Sequence, residues 1–190
     1  MKCYQSTKHC LLIILVLIGA ALMGCTKKTA RHYDLLPPDP EEEKDLTQLA
    51  IGLTVNIENS GGPNAKEGSS KVIDGNIDTK FLIFSFAPNF FIELDYDIAQ
   101  RLDAYTLTSA DDADGRDPKD WQIVASNDST KWTVLDDRKG QLFDSRKKTV
   151  RYEFTNANKY KFYRLAITSL KGGTSGLFQL AEWRVISRPH

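Results

Sequence analysis

The stretch Phe90-Phe-Ile-Glu-Leu-Asp-Tyr-Asp97 places Phe90, Ile92, Leu94 and Tyr96 on one side and Glu93 and Asp95 on the other. A period of two is the mark of an extended strand with one buried face and one wetter face. Leu53-Thr-Val-Asn-Ile57 alternates in the same way. Further strands are expected at Ala104–Ser109, Trp121–Ser126, Trp132–Asp137, Thr149–Phe154, Tyr160–Leu170 and Leu177–Ser187. Turn-forming clusters separate them: Asn59-Ser-Gly-Gly-Pro63, Asp111–Pro118, Asn127-Asp-Ser-Thr130, Lys139-Gly140 and Lys171–Gly176. From residue 47 onward no long amphipathic helical stretch interrupts this pattern, and no internal repeat organises it. The expectation is an all-β domain, an antiparallel β-sandwich of about eight short strands with binding loops at its ends.

The first 46 residues obey different rules. All three cysteines (Cys3, Cys10, Cys25) lie there, and no acidic residue precedes Asp34. Lys2 and Lys8 precede the apolar run Leu11–Gly24, which is too short to cross about 30 Å of hydrocarbon comfortably. A basic start, a short apolar centre and small residues before a break predict a signal peptide over residues 1–24. Leu22-Met23-Gly24-Cys25 resembles the lipobox of bacterial lipoproteins. That resemblance implies cleavage before Cys25, lipidation of Cys25 and a membrane anchor in the cell envelope, with the outer membrane the expected site. The alternative is a leader that stays in place as an uncleaved anchor. Residues 25–46 read as a tether, because Pro37, Pro38, Pro40 and the run Glu41-Glu42-Glu43 favour an extended, solvated chain. Thr26-Lys27-Lys28 lacks the acidic stretch that often follows the cysteine in surface-exported lipoproteins of Bacteroidetes. The choice of leaflet stays open.

Residues 47–190 then form the expected domain. The whole chain carries 25 basic and 25 acidic side chains among 190 residues, which argues against a nucleic-acid partner. Beyond the tether there is no cysteine and the sole histidine is the terminal His190. An imidazole held between a nucleophile and an orienting acid is therefore missing, and so are histidine ligands for zinc. Asp111-Asp112-Ala-Asp114 and Asp136-Asp137 could in principle supply paired carboxylates for glycoside hydrolysis, but acids in turns are ordinary loop formers. Gly172-Gly173-Thr174-Ser175-Gly176 lacks the Lys-Ser/Thr ending of a phosphate loop and reads as a strand connection. No catalytic residues are expected, and the chain is read as a binding protein.

The densest cluster of potential ligands is Lys71-Val-Ile-Asp74-Gly75-Asn76-Ile77-Asp78-Thr79. Hard oxygen donors crowd a tight turn, as Ca2+ requires. An EF-hand is excluded, since the sixth and twelfth positions from Asp74 are Thr79 and Ser85 instead of Gly and Glu. A metal-free Asx turn explains the same spacing.

Three segments recur in a meaningful order: Ile73–Phe81, then Trp121-Gln-Ile-Val-Ala-Ser-Asn-Asp-Ser-Thr-Lys-Trp132, then Tyr163-Arg164-Leu165 followed by Leu180-Ala-Glu-Trp-Arg-Val185. Together they resemble the discoidin, or coagulation factor V/VIII type C, superfamily, which includes family 32 carbohydrate-binding modules. The resemblance covers about residues 47–188 and implies an eight-stranded antiparallel jelly-roll sandwich. It also implies a structural Ca2+ held by Asp74, Thr79 and Glu182, with backbone carbonyls near Lys71, Asn76 and Ala181. Phe81 stands where the family usually has Trp.

The resemblance further implies a ligand site in loops at one end of the sandwich, where sugars dock on an aromatic face. The richest such loop runs from Ser109 to Asp120. Arg116 offers a five-donor fork and Asp111, Asp112 and Asp117 offer acceptors. Pairing of Arg116 with Asp112 to hold the loop's shape is the competing reading. Phe178 and Phe84 or Phe86 are the candidate platforms, while Trp121, Trp132 and Trp183 are expected in the core. Phe81–Phe86 could instead act as membrane spikes, but only Lys80 lies close by to assist, and most of these side chains are expected to pack as a strand or core edge. The partner implied is a carbohydrate; the alternative is an envelope protein bound by a scaffold subunit that takes no free sugar.

Overall fold

A computed structural model describes residues 42–189 of the 190. The expected signal peptide, Cys25 and the tether up to Glu41 lie outside the described residues, as does His190. Among the described residues eleven strands appear: β1 (Lys44–Asp45), β2 (Gly52–Val55), β3 (Phe81–Phe86), β4 (Phe90–Gln100), β5 (Ala104–Thr108), β6 (Pro118–Ser126), β7 (Thr133–Arg138), β8 (Thr149–Glu153), β9 (Tyr160–Leu170), β10 (Gly176–Leu180) and β11 (Glu182–Ser187). One sheet has the order β1-β11-β5-β8, a second β2-β4-β9-β6-β7, and β3 pairs with β10 alone. Every pairing is antiparallel. The expected all-β antiparallel sandwich is what forms.

The period-two reading of β4 holds in detail: Phe90, Ile92 and Leu94 are fully buried and Tyr96 nearly so. The opposing sheet contributes Tyr105, Leu107, Trp183 and Val185 to the same apolar cluster. The two are joined by a polar link as well, since the Trp121 indole N–H donates to the Tyr105 hydroxyl at 2.8 Å and that hydroxyl donates to Asp136 at 2.8 Å. A buried indole or phenol needs such a partner.

The segment Leu177–Ser187, expected as one strand, is two. β10 pairs with β3 and β11 with β5, so the chain changes sheets at Ala181. There the Ala181 N–H donates to the Thr108 carbonyl at 2.9 Å. Lys44–Leu46, at the end of the expected tether, belong to the packed structure: Lys44 and Asp45 pair with β11, and Leu46 is buried. Trp121 and Trp183 are core residues as expected. Trp132 is not, because it precedes β7 at the margin of the sheet and remains partly exposed.

Candidate functional site

The change of sheet at Ala181 sets the position of the next residue, Glu182. Its carboxylate is 2% exposed and points back at the turn that follows the 3-10 segment Ser69–Ile73. Oε1 accepts the backbone N–H groups of Gly75 at 2.7 Å and Asn76 at 3.0 Å. Gly75 has φ of 77°, a conformation suited to glycine, and it turns both donors inward. Asp74 accepts from the Thr79 hydroxyl at 2.9 Å, and that hydroxyl also lies 2.9 Å from the Asn76 carbonyl. Thus Asp74, Asn76, Thr79 and Glu182, four of the expected metal ligands, are brought together. Lys71 contributes its ammonium, 3.7 Å from Asp74, and Ala181 flanks Glu182 in the chain.

The electrostatics of this turn suit a cation. Glu182 is pushed up to about 7, first by burial and then by the hydrogen-bonded Asp74 carboxyl; the Asn76 and Gly75 N–H groups act in the opposite sense. Its Oε2 is buried without a hydrogen-bond partner, with the Arg184 guanidinium 3.7 Å away. Two carboxyl groups in contact need either a proton or a positive ion between them. Among the described residues no group of three His, Cys, Asp or Glu side chains converges, so hydroxyl and carbonyl oxygens would complete the shell. Asp74, Glu182, the Thr79 hydroxyl and the Asn76 carbonyl are hard oxygen donors of the kind a divalent ion takes.

The expected ligand loop is only partly available. Asp117 is 2% exposed and receives both Arg146 guanidinium nitrogens, one at 2.9 Å. Burial raises its carboxyl above the usual carboxylate range despite the hydrogen bonds from Arg146. It is a structural ion pair and not a ligand contact. Asp111 and Asp112 each lie 2.9 Å from Lys80 Nζ, and Arg116 reaches Asp112 at 3.4 Å, which is the shape-holding arrangement. Phe178 is no platform: it is fully buried, with ring centroids 4.9 Å from Phe90, 6.0 Å from Phe81 and 6.4 Å from Phe86. Phe86 is buried in the same cluster. Phe84 is 56% exposed but stands outside the groove described next.

That groove encloses about 690 Å³ between the Asp112–Asp114 stretch, Leu142–Arg146 and Lys171. Leu142, 61% exposed, offers an apolar surface, and Asp112, Asp114, Ser145 and Lys171 surround it with donors and acceptors. Lys171 is ion-paired with Asp114. Next to Lys171 the glycine-rich connection is held to the 109–117 loop, where the Gly172 N–H donates to the Gly115 carbonyl at 2.7 Å. A Cβ on Gly172 would fall 2.7 Å from that oxygen, so the approach demands glycine. Leu142, Ser145, Arg146 and Lys171 were not legible as site residues, since they come from two separate connections, β7–β8 and β9–β10, with no local motif.

Strands of two sheets meeting over one core, with a groove among the end loops, define an antiparallel β-sandwich. The chain belongs to the F5/8 type C domain family, whose model matches residues 56–182. Among solved structures, the F5/8 type C domain of a Bacteroides fragilis protein is similar with a TM-score of 0.61 and 16% identity, covering 80% of this chain and 100% of that one. The family 32 carbohydrate-binding module of C. perfringens NanJ, determined in complex with galactose, has a TM-score of 0.58 and 17% identity over 76% of this chain and 99% of its own. A peptide-N(4)-(N-acetyl-beta-glucosaminyl)asparagine amidase of Arabidopsis thaliana is 40% identical over 77 residues, which is 38% of this chain and 11% of the amidase. The domain thus resembles non-catalytic carbohydrate-binding modules, and the amidase shares only a small part of its length with it.

Proposed function

We propose that this chain is a non-catalytic, lipid-anchored envelope module that binds carbohydrate at the loop-end groove and is stabilised by a structural Ca2+. The observation that carries the reading is the groove itself, an exposed Leu142 ringed by Asp112, Asp114, Ser145 and Lys171. A sugar presents both C–H faces and hydroxyls, and such a mixture of apolar and hydrogen-bonding groups matches it. Similar modules support this choice, one solved with galactose and another, the family 32 module of AlyQ, with 4,5-unsaturated mannuronic acid. Asp74, Thr79, Asn76 and Glu182 would hold the calcium, which would neutralise two facing carboxylates. These residues would then tie an early turn to the last strand, in a domain that has no disulfide. Cleavage before Cys25 would leave that cysteine as the lipid carrier.

A screen of the purified chain on a glycan array and on polysaccharide affinity gels tests this. Retardation by at least one polysaccharide is expected, and Lys171→Ala with Ser145→Ala should weaken it about tenfold. A second reading, a scaffold subunit binding an envelope protein, is favoured by Leu49, Ile51 and Ile98, exposed around the start of β2 and the far end of β4. No retardation by any polysaccharide, together with a stably co-purifying protein, would replace the first reading by the second.

A further inference from the structure

Lys80 follows Thr79 directly and leads into β3. Its side chain is only 11% exposed, and its ammonium lies 2.9 Å from Asp111 Oδ1, 2.9 Å from Asp112 Oδ2 and 3.7 Å from Glu67 Oε1. Burial works against the lysine's charge, yet the hydrogen bonds it donates to Asp111 and Asp112 outweigh it and hold the group above its ordinary value. Consecutive aspartates repel one another, and a shared cation is what allows both to point the same way. Arg116, 3.4 Å from Asp112, is the weaker of its two partners by distance. Two residues before Lys80, Asp78 pairs with Lys147, which follows the groove-lining Arg146. The Asp74–Thr79 turn is therefore fastened to two walls of the groove at once, through Lys80 on one side and Asp78 on the other.

We propose that Lys80 is the positioning residue of the groove, fixing Asp112 in its wall and coupling the Asp74–Glu182 turn to the groove. The coupling half rests on the calcium and groove readings above, whereas the positioning half does not need them. Filling the turn with a cation would settle Asp74 and Thr79, and Lys80 is the next residue in the chain. A shift there is carried to Asp111 and Asp112 by two short charged contacts instead of a flexible linker. Lys147 cannot replace it, because the Lys147–Asp78 pair is much more exposed and such pairs contribute little. Coupling of this kind requires two sites and an element that both bias, which here is the 109–117 loop.

Hydrogen–deuterium exchange on the full chain decides it, comparing wild type, Lys80→Met and Lys80→Arg, each in chelator and in Ca2+. In chelator, Lys80→Met should exchange residues 109–117 about tenfold faster, the loss expected for one charge-assisted hydrogen bond, with β4 and β9 unchanged. Lys80→Arg should restore most of the protection. The pair Asp111→Asn with Asp112→Asn should loosen the same loop from the other side, which guards against a variant that simply misfolds. In wild type, Ca2+ should protect 74–79 and 109–117 together; in Lys80→Met it should protect 74–79 alone. Unchanged exchange of 109–117 in Lys80→Met overturns the positioning role. Calcium protection reaching 109–117 in Lys80→Met as in wild type overturns the coupling. Absence of calcium protection at 74–79 in wild type overturns the calcium reading and the coupling with it, while the chelator arm still decides the positioning role.

Discussion

The guanidinium carbon of Arg164 lies 3.8 Å from the centre of the Trp132 ring. The Phe91 ring is 3.9 Å from the same carbon, and Nε donates to the carboxylate of Glu93, which is 6% exposed. One arginine on β9 thus collects two aromatic rings and a buried acid across the outer face of the larger sheet. Truncation to Arg164→Ala leaves Glu93 buried without its cation, and about 3 kcal/mol of stability should be lost. Arg164→Lys keeps the charge but not the planar stack, and should lie between the two. Denaturant unfolding measures both; a loss below about 1 kcal/mol for Arg164→Ala would contradict this account.

Calcium at about a hundred times its dissociation constant should stabilise the domain by about 2.7 kcal/mol. In a domain of this size that raises Tm by about 9 °C. Glu182→Ala removes the β11 carboxylate proposed to hold the ion, so its melting curve should be the same in calcium and in chelator. Identical wild-type curves under the two conditions would rule the metal out.

Phe178 and Leu142 should behave oppositely. Phe178→Ala opens a cavity among Phe81, Phe86 and Phe90 and should cost about 3–5 kcal/mol. Leu142→Ala should change stability by less than about 0.5 kcal/mol and should weaken retardation on the polysaccharide gel. Stability loss at Leu142, or none at Phe178, would reverse their assignment to groove and core.

Asp95 titrates with a definite sign. Its carboxyl is pushed up to about 6, first by burial and then by the neighbouring Glu93 charge. A carboxyl that holds its proton more tightly when folded adds stability at low pH, and this is lost as pH rises through the folded value. The Tm of wild type minus that of Asp95→Asn should therefore fall from about pH 4 to about pH 7, wild type becoming the less stable of the two, and then level off. A difference that stays flat across this range would refute the assignment.

Much of the strand order was readable because side-chain alternation and turn chemistry are local. Phe90, Ile92, Leu94 and Tyr96 announced β4, and Tyr160–Leu170 was bounded correctly as β9. The break at Ala181 was not readable, since both halves of Leu177–Ser187 look like strand and only their different partners separate them. Trp132 was misjudged for a related reason: a large aromatic near a strand suits a core equally well as a ring covering an arginine. Phe178 was misjudged because its closeness to a glycine-rich loop says nothing about which way β10 faces.

The candidate site divides along the same line. The oxygen-rich turn at Asp74–Thr79 is a contiguous string, and family resemblance alone linked it to Glu182, more than a hundred residues away. The groove had no such string. The residue types decided by themselves that this domain has no embedded cysteine or histidine, that it is made of strands, and that its charged loops are rich in aspartate. Tertiary structure alone decided which of those aspartates are spent on holding loops together. Asp117 went to Arg146, and Asp111 and Asp112 to Lys80, because ion pairing depends on distances of a few ångströms between residues far apart in the chain.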